Sequence, residues 1–278
     1  MKPALSIILF TTIAGAAQGL TVVLAAASLW NAAPVQGLSF MLWIATVMLL
    51  SALVSSFFHL GHPLRAWRAV LMWRTSWMSR EVIALPLFIA LVACWAALAT
   101  YGSARTMPRW LLWTVIGGAV CLWFCTAMIY ACIRFIQEWA HPLTVANYIT
   151  LGLASGCISA GLLGALTNER AFSSALSGWA LAATAVAWLT RFLSLRRNAR
   201  IKPASTTQSA TGINSARVMQ KSMGMTGGSF NTREFFHGAS ERMYRNMRTG
   251  FQLLAFALPL LFLAIESFTG SAIAWVLA

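Results

Sequence analysis

Charge is what this chain has least of. Only 9% of its 278 residues are charged, aspartate is absent, and the acids are six glutamates. With 59% hydrophobic residues and a mean hydropathy of +0.72, too little polar surface remains to clothe a soluble domain, which excludes an ordinary soluble enzyme. The shortage of acids leaves a net charge of +14. Such a balance suits nucleic acid, but the apolar runs leave no basic globular domain to bind it. Cys-x-x-Cys groupings are missing too: Cys94, Cys121, Cys125, Cys132 and Cys157 lie in apolar stretches, so no iron–sulfur ligand set is expected. Cys121 and Cys125, one helical turn apart, read as small packing residues. Bis-histidine haem needs a pair on facing helices; His59 and His141 are the conceivable pair, and His141 precedes Pro142 in a loop. Neither haem nor a metal is expected in the chain itself.

What the chain does have is long apolar runs. Seven are near the roughly 20 residues a membrane-crossing helix needs: 4–28, 38–58, 82–101, 110–133, 143–166, 171–193 and 251–277. They lack strand alternation, and lipid leaves backbone groups no outside partner, so the expected fold is all-α, a polytopic transmembrane helix bundle. The first run, behind Lys2 and with Ala25, Ala26 and Ala27, resembles a cleavable signal peptide; its length favours a retained helix. The last is interrupted by Glu266 and ends without a polar anchor, which fits one long helix or a chain that continued into an eighth. The expected organisation is a six-helix bundle over 1–193, a basic loop over 194–250 and a last span over 251–278.

Loop charge sets the orientation. One side carries Lys2, Arg65, Arg68, Arg74, Arg80, Arg134 and the eleven Lys and Arg from Arg191 to Arg248; the other carries Arg105, Arg109 and Arg170. The basic side, and with it the N-terminus, is expected to be cytoplasmic. His59, His62, His141, His237, Glu81, Glu138, Glu234 and Glu241 follow the same division, so chemistry is expected there.

The most informative stretch runs from His59 to Arg68, followed by Ser76 to Val82. Gly61 and Pro63 break the second helix, after which Leu64, Trp67 and Leu71 recur with Arg65 and Arg68 interleaved, as in a short helix lying in the membrane interface. That turn places His59 just inside the hydrocarbon edge, close to Glu81. An imidazole and a carboxyl at that depth supply what a quinone headgroup requires: a donor for its carbonyl and a route for the proton that accompanies each electron. Structural readings stand beside this one. His59 at a helix end caps carbonyls, Glu81 two residues after a Ser79 N-cap meets a helix dipole, and Arg65 and Arg68 contact lipid phosphate.

The stretch His59-Leu60-Gly61-x-Pro63-x-Arg65-Ala66, followed by Ser76-x-x-Ser79-x-Glu81-Val82, resembles the membrane anchor subunits of the dimethyl sulfoxide reductase type. Size and helix layout are similar over most of the chain; the specific motif covers about 56–82. The resemblance implies an anchor without a catalytic cofactor of its own. It holds a molybdopterin catalytic subunit and a ferredoxin-like iron–sulfur subunit against the membrane and exchanges electrons with the quinone pool, ubiquinone or menaquinone. It puts the family's quinol-site histidine on His59, the motif arginine on Arg65 and the helix-three carboxylate on Glu81. His62 departs from the small residue usual in the family, as a second proton-handling group or a local substitution. The family commonly has eight helices, against the seven read here.

The 194–250 loop passes from Arg196, Arg197, Arg200 and Lys202 through a Ser/Thr-rich stretch to Gly227–Gly238, where Phe230, Arg233, Phe235 and Phe236 cluster. Its two readings are an amphipathic segment held by anionic lipid and a docking element for a soluble partner. Within the family, a basic His59 loop on the cytoplasmic side implies a cytoplasmic head, as in membrane-bound sulfite dehydrogenase, with quinone reduced near His59, Arg65 and Arg68 orienting the headgroup or partner, and Glu81 or His62 relaying protons. An S-oxide reductase anchor oxidising quinol at the same site is the runner-up. A secondary transporter fits less well, since no internal repeat is seen and few ionisable residues reach the midplane. A purely structural tether is the third reading.

Overall fold

The computed structural model describes residues 5–30, 37–58, 60, 62–102, 107–201, 207–216, 218 and 240–278. Among the described residues there is helix and no strand. The long helices are α1 (Leu5–Trp30), α2 (Leu38–Phe57), α3 (Trp77–Tyr101), α4 (Arg109–Ala131), α5 (Pro142–Leu166) and α6 (Arg170–Asn198). A short α7 (Thr207–Thr211) precedes α8 (Glu241–Gln252), α9 (Leu258–Thr269) and α10 (Ala272–Leu277). Seven helices, α1 to α6 and the segment Arg245–Thr269, are long and apolar enough to cross a membrane. At about 1.5 Å per residue such lengths match a hydrocarbon core of about 30 Å.

Helix α1 is the axis, packed against α2, α4 and α5; α3 closes the first four helices by packing on α2 and α4. On the other side α6 packs on α5, and α9 on α6. The α1–α5 crossing rests on glycine. A Cβ at Gly19 would stand 1.8 Å from the carbonyl oxygen of Gly152, and one at Gly156 would stand 2.1 Å from the carbonyl carbon of Gly19. Two backbones in contact gain dispersion that lipid does not supply, the reason small residues four apart recur at such crossings. Trp123 lies over Gly152, where a Cβ would come within 2.7 Å of the indole.

The run 251–277, read as one long helix or as a chain that continued into an eighth, is divided among several elements. Ser240 caps α8 by accepting from the Met243 amide at 3.2 Å. A π turn over Leu253–Ala257 then leads into α9, in whose first turn sits Pro259. Proline has no N–H for the ladder and its ring crowds the preceding turn, which the wider π turn accommodates. Gly270, at φ +64°, stops α9 with its amide on the Glu266 carbonyl at 2.7 Å. The chain reverses, and α10 packs back on α5 and α9, with Trp275 in a notch where a Cβ on Gly161 would stand 2.2 Å from the indole. Two further boundaries move: α6 runs on to Asn198, and the segment after α2 is a 3-10 helix over Pro63–Met72.

Candidate functional site

The 3-10 segment has three residues per turn, so Leu64, Trp67 and Val70 share a face. Leu64, Trp67, Leu71 and Met72 are exposed, as are His62, Arg65 and Arg68. The Arg68 guanidinium lies 5.6 Å from the Trp67 ring, Arg74 lies 5.4 Å from Trp73, and Arg80 lies 4.1 Å from Trp77. Arg80 also donates to the carbonyls of Trp73 at 3.0 Å and Arg74 at 2.9 Å, and so fixes the turn into α3. The short helix expected after Pro63 is thus present, with its Trp and Arg side chains exposed. His59 lies outside the described residues, as do Phe230, Arg233, Phe235 and Phe236 of the expected docking element.

The Ser-x-x-Ser-x-Glu motif has a physical explanation, and it corrects the capping reading. Ser76, not Ser79, is the N-cap of α3, and its side chain accepts from the Ser79 amide at 3.3 Å. Glu81 therefore stands beyond the first turn and does not meet the open amides of the helix end. It is 7% exposed, and its carboxylate accepts a hydrogen bond from the Thr126 hydroxyl on α4. One turn further along α4, Tyr130 stacks on Tyr148 of α5 with ring centroids 6.0 Å apart. Trp139 meets Tyr130 edge-on at 5.3 Å. A buried carboxyl with a hydroxyl partner can hold and release a proton away from water.

The structure thus divides the expected set. Glu81 pairs with Thr126 in the buried α3–α4 interface, with the half-buried Tyr130 and Tyr148 one turn further along α4, while His62, Arg65 and Arg68 stay on the exposed segment. Both groups occupy one end of the bundle, since the α2–α3 turn, the end of α4, the start of α5, the end of α6 and the start of α8 share a side when spans alternate. Arg196, Arg197, Arg242, Arg245 and Arg248 lie at that end too. Arg248 donates to the Leu195 carbonyl at 3.3 Å, joining α8 to the tail of α6. Arg197 donates to the Gln137 carbonyl at 2.9 Å and so ties α6 to the α4–α5 loop.

Between α4 and α5 is an open cleft of about 640 Å³. It is lined by Phe124, Met128, Ala131, Ala140, His141, Pro142, Val145, Ala146 and Ile149. His141 is the N-cap of α5, its Nδ1 accepting from the Leu143 amide at 3.1 Å. Burial first, and the Arg197 charge second, hold its imidazole below the ordinary value of 6.5. At the opposite end of the bundle Glu266 is 3% exposed, with Ser177 and Trp275 against it.

Comparison with known proteins decides the family. The sequence model of the DMSO reductase anchor subunit (DmsC) family matches residues 1–221. The chain belongs to this family. The anchor is also 43% identical over 288 residues, 98% of its length and 88% of the relative's, to a sulfite dehydrogenase subunit of Allochromatium vinosum. It is 28% identical over 129 residues, 45% of its length and 43% of the relative's, to the anaerobic dimethyl sulfoxide reductase chain YnfH of Escherichia coli. No solved structure matches. In this anchor the residues that sequence reasoning missed are Thr126, Tyr130 and Tyr148, which stand 45 to 67 positions from Glu81 and form no local pattern with it. One signal was available: hydroxyl groups inside apolar runs need partners.

Proposed function

We propose that this anchor serves a membrane-bound sulfite dehydrogenase complex, in which electrons from sulfite oxidation at a molybdopterin subunit pass through an iron–sulfur subunit into ubiquinone or menaquinone. The observation that carries this reading is the 43% identity to a sulfite dehydrogenase subunit over almost the full chain. The more distant S-oxide reductase relative matches less than half of it. The basic end of the bundle is the cytoplasmic face, in keeping with the positive-inside rule, and it receives the partner subunits. Arg65 and Arg68 on the exposed segment, with Phe230, Arg233, Phe235 and Phe236 in the long loop, contribute to that docking face. Quinone approaches at the same end. His59 donates to its carbonyl, His62 serves the aqueous rim, and Glu81, held by Thr126 beside two tyrosines, takes or gives the proton that follows each electron.

The test is purification of the anchor with its neighbours from the source membrane, followed by sulfite-linked and S-oxide-linked quinone assays. The expected result is three co-purifying subunits and sulfite-dependent quinone reduction. Substituting Glu81→Gln should lower that rate at least about a hundredfold, the usual scale of acid–base assistance, with the three subunits still associated. Activity on S-oxides alone, or a Glu81→Gln complex with full turnover, contradicts the reading.

A further inference from the structure

The α4–α5 cleft has walls of one kind and a head of another. Phe124, Met128, Ala131, Val145 and Ile149 are apolar, and His141 is the one polar side chain at the lining. Because Nδ1 of His141 accepts the Leu143 amide, the neutral ring carries its proton on Nε2, which makes that nitrogen a donor. Burial and the charge of Arg197 keep the ring in this neutral form at neutral pH. No lysine or arginine lines the cleft, and Arg197 is engaged with the Gln137 carbonyl and the Asn198 side chain. The cleft is therefore poorly matched to a phosphate headgroup. It is well matched to a neutral carbonyl acceptor attached to a hydrocarbon chain, and its volume falls in the range of small-molecule sites. No residue of the α2–α3 turn lines it, and its lining residue Phe124 meets Trp77 at the start of α3 edge-on at 5.4 Å. Helix α4 is the partition: Phe124 and Met128 face the cleft, while Thr126, between them in sequence, bonds to Glu81. A ligand in the cleft would thus lie about one helix width, roughly 10 Å, from the buried carboxyl.

We propose that this cleft is a quinone-binding position in its own right, with a ring carbonyl hydrogen-bonded to Nε2 of His141 and the isoprenoid chain lying along Phe124, Met128, Val145 and Ile149. It rests on the quinone-linked function proposed above and adds a site on α4 and α5 to the one expected at the α2–α3 turn.

The experiment uses the purified complex with its partner subunits, an azido-substituted decylubiquinone for photolabelling and decylubiquinone for turnover. Label is expected on the peptide spanning 124–149. His141→Asn keeps a side-chain oxygen to cap Leu143 but is too short to reach the ring. It should raise KM for decylubiquinone about three- to tenfold, the scale of one lost hydrogen bond, and leave kcat within about twofold. Met128→Trp fills the cleft and should abolish labelling there. Label confined to 59–81, or a KM unmoved in both variants, overturns the site while leaving quinone-linked function standing. A wild-type complex without any quinone-linked turnover overturns both.

Discussion

Thr126 gives its hydroxyl hydrogen to the carboxylate of Glu81 across the α3–α4 interface. Both residues lie within membrane-spanning helices and both are buried, so water is not there to replace a lost partner. Thr126→Val keeps the shape and removes the donor. Quinone-linked turnover is expected to fall about tenfold or more, with the partner subunits still bound, and Thr126→Ser should recover most of it. Full turnover in an assembled Thr126→Val complex would remove Glu81 from the proton path.

The His141 cap gives a pH dependence whose sign follows from its environment. Its imidazole is held below 6.5 in the folded protein, so the unfolded chain takes up a proton first as the medium is acidified. The stability it contributes is complete above about pH 6.5 and is lost as pH falls through the lower folded value. The structural reason is that a protonated Nδ1 no longer accepts the Leu143 amide. Thermal unfolding in detergent from about pH 7 to about pH 5 should show a smaller drop for His141→Asn than for the parent. Equal drops would mean that the cap does not titrate in this range.

Seven membrane-spanning helices were legible because hydropathy over 20 residues is a long-window signal that no local detail overrides. The short helix after α2 was legible from the break at Gly61 and Pro63 and the spacing that follows. The start of α3 was misread by three residues, because Ser76 and Ser79 are both good caps and only the fold shows which one accepts the amide. That shift removes the helix-dipole reading of Glu81, while its place at depth in the bundle agrees with the carboxyl expected just inside the hydrocarbon edge. The break in the last run was not legible for a different reason: the apolar run continues through Gly270, and the reversal there sets Trp275 against Gly161, a long-range match between two helices.

The α1–α5 crossing makes a sharp prediction because one glycine is replaceable and another is not. Gly178 on α6 has nothing within 4 Å of an added Cβ, so Gly178→Ala should be neutral or slightly stabilising. At Gly156 the added atom would meet backbone at 2.1 Å, which only a separation of the helices relieves. Gly156→Ala should therefore cost several kcal/mol, roughly 3 or more, and cut the amount of anchor recovered from membranes. Equal recovery of the two variants would mean that α1 and α5 do not touch through their backbones.

The far end of the bundle holds a different kind of pair. Glu266 Oε2 and Trp275 Nε1 are both buried without a hydrogen-bond partner. A buried carboxylate left half-satisfied is costly, and an uncharged amide of the same shape avoids that cost, so Glu266→Gln should unfold at an equal or higher temperature. The cover over Glu266 depends instead on Gly161. Gly161→Val places a methyl group inside the volume of the Trp275 ring and should lift α10 from α5. In a background without other cysteines, Ala274→Cys reports this, because Ala274 is 3% exposed with α10 in place. Maleimide should react slowly with Ala274→Cys alone and rapidly once Gly161→Val is added. Rapid reaction in both would show that α10 does not rest on α5, and the carboxyl of Glu266 would then be open to the far side of the membrane.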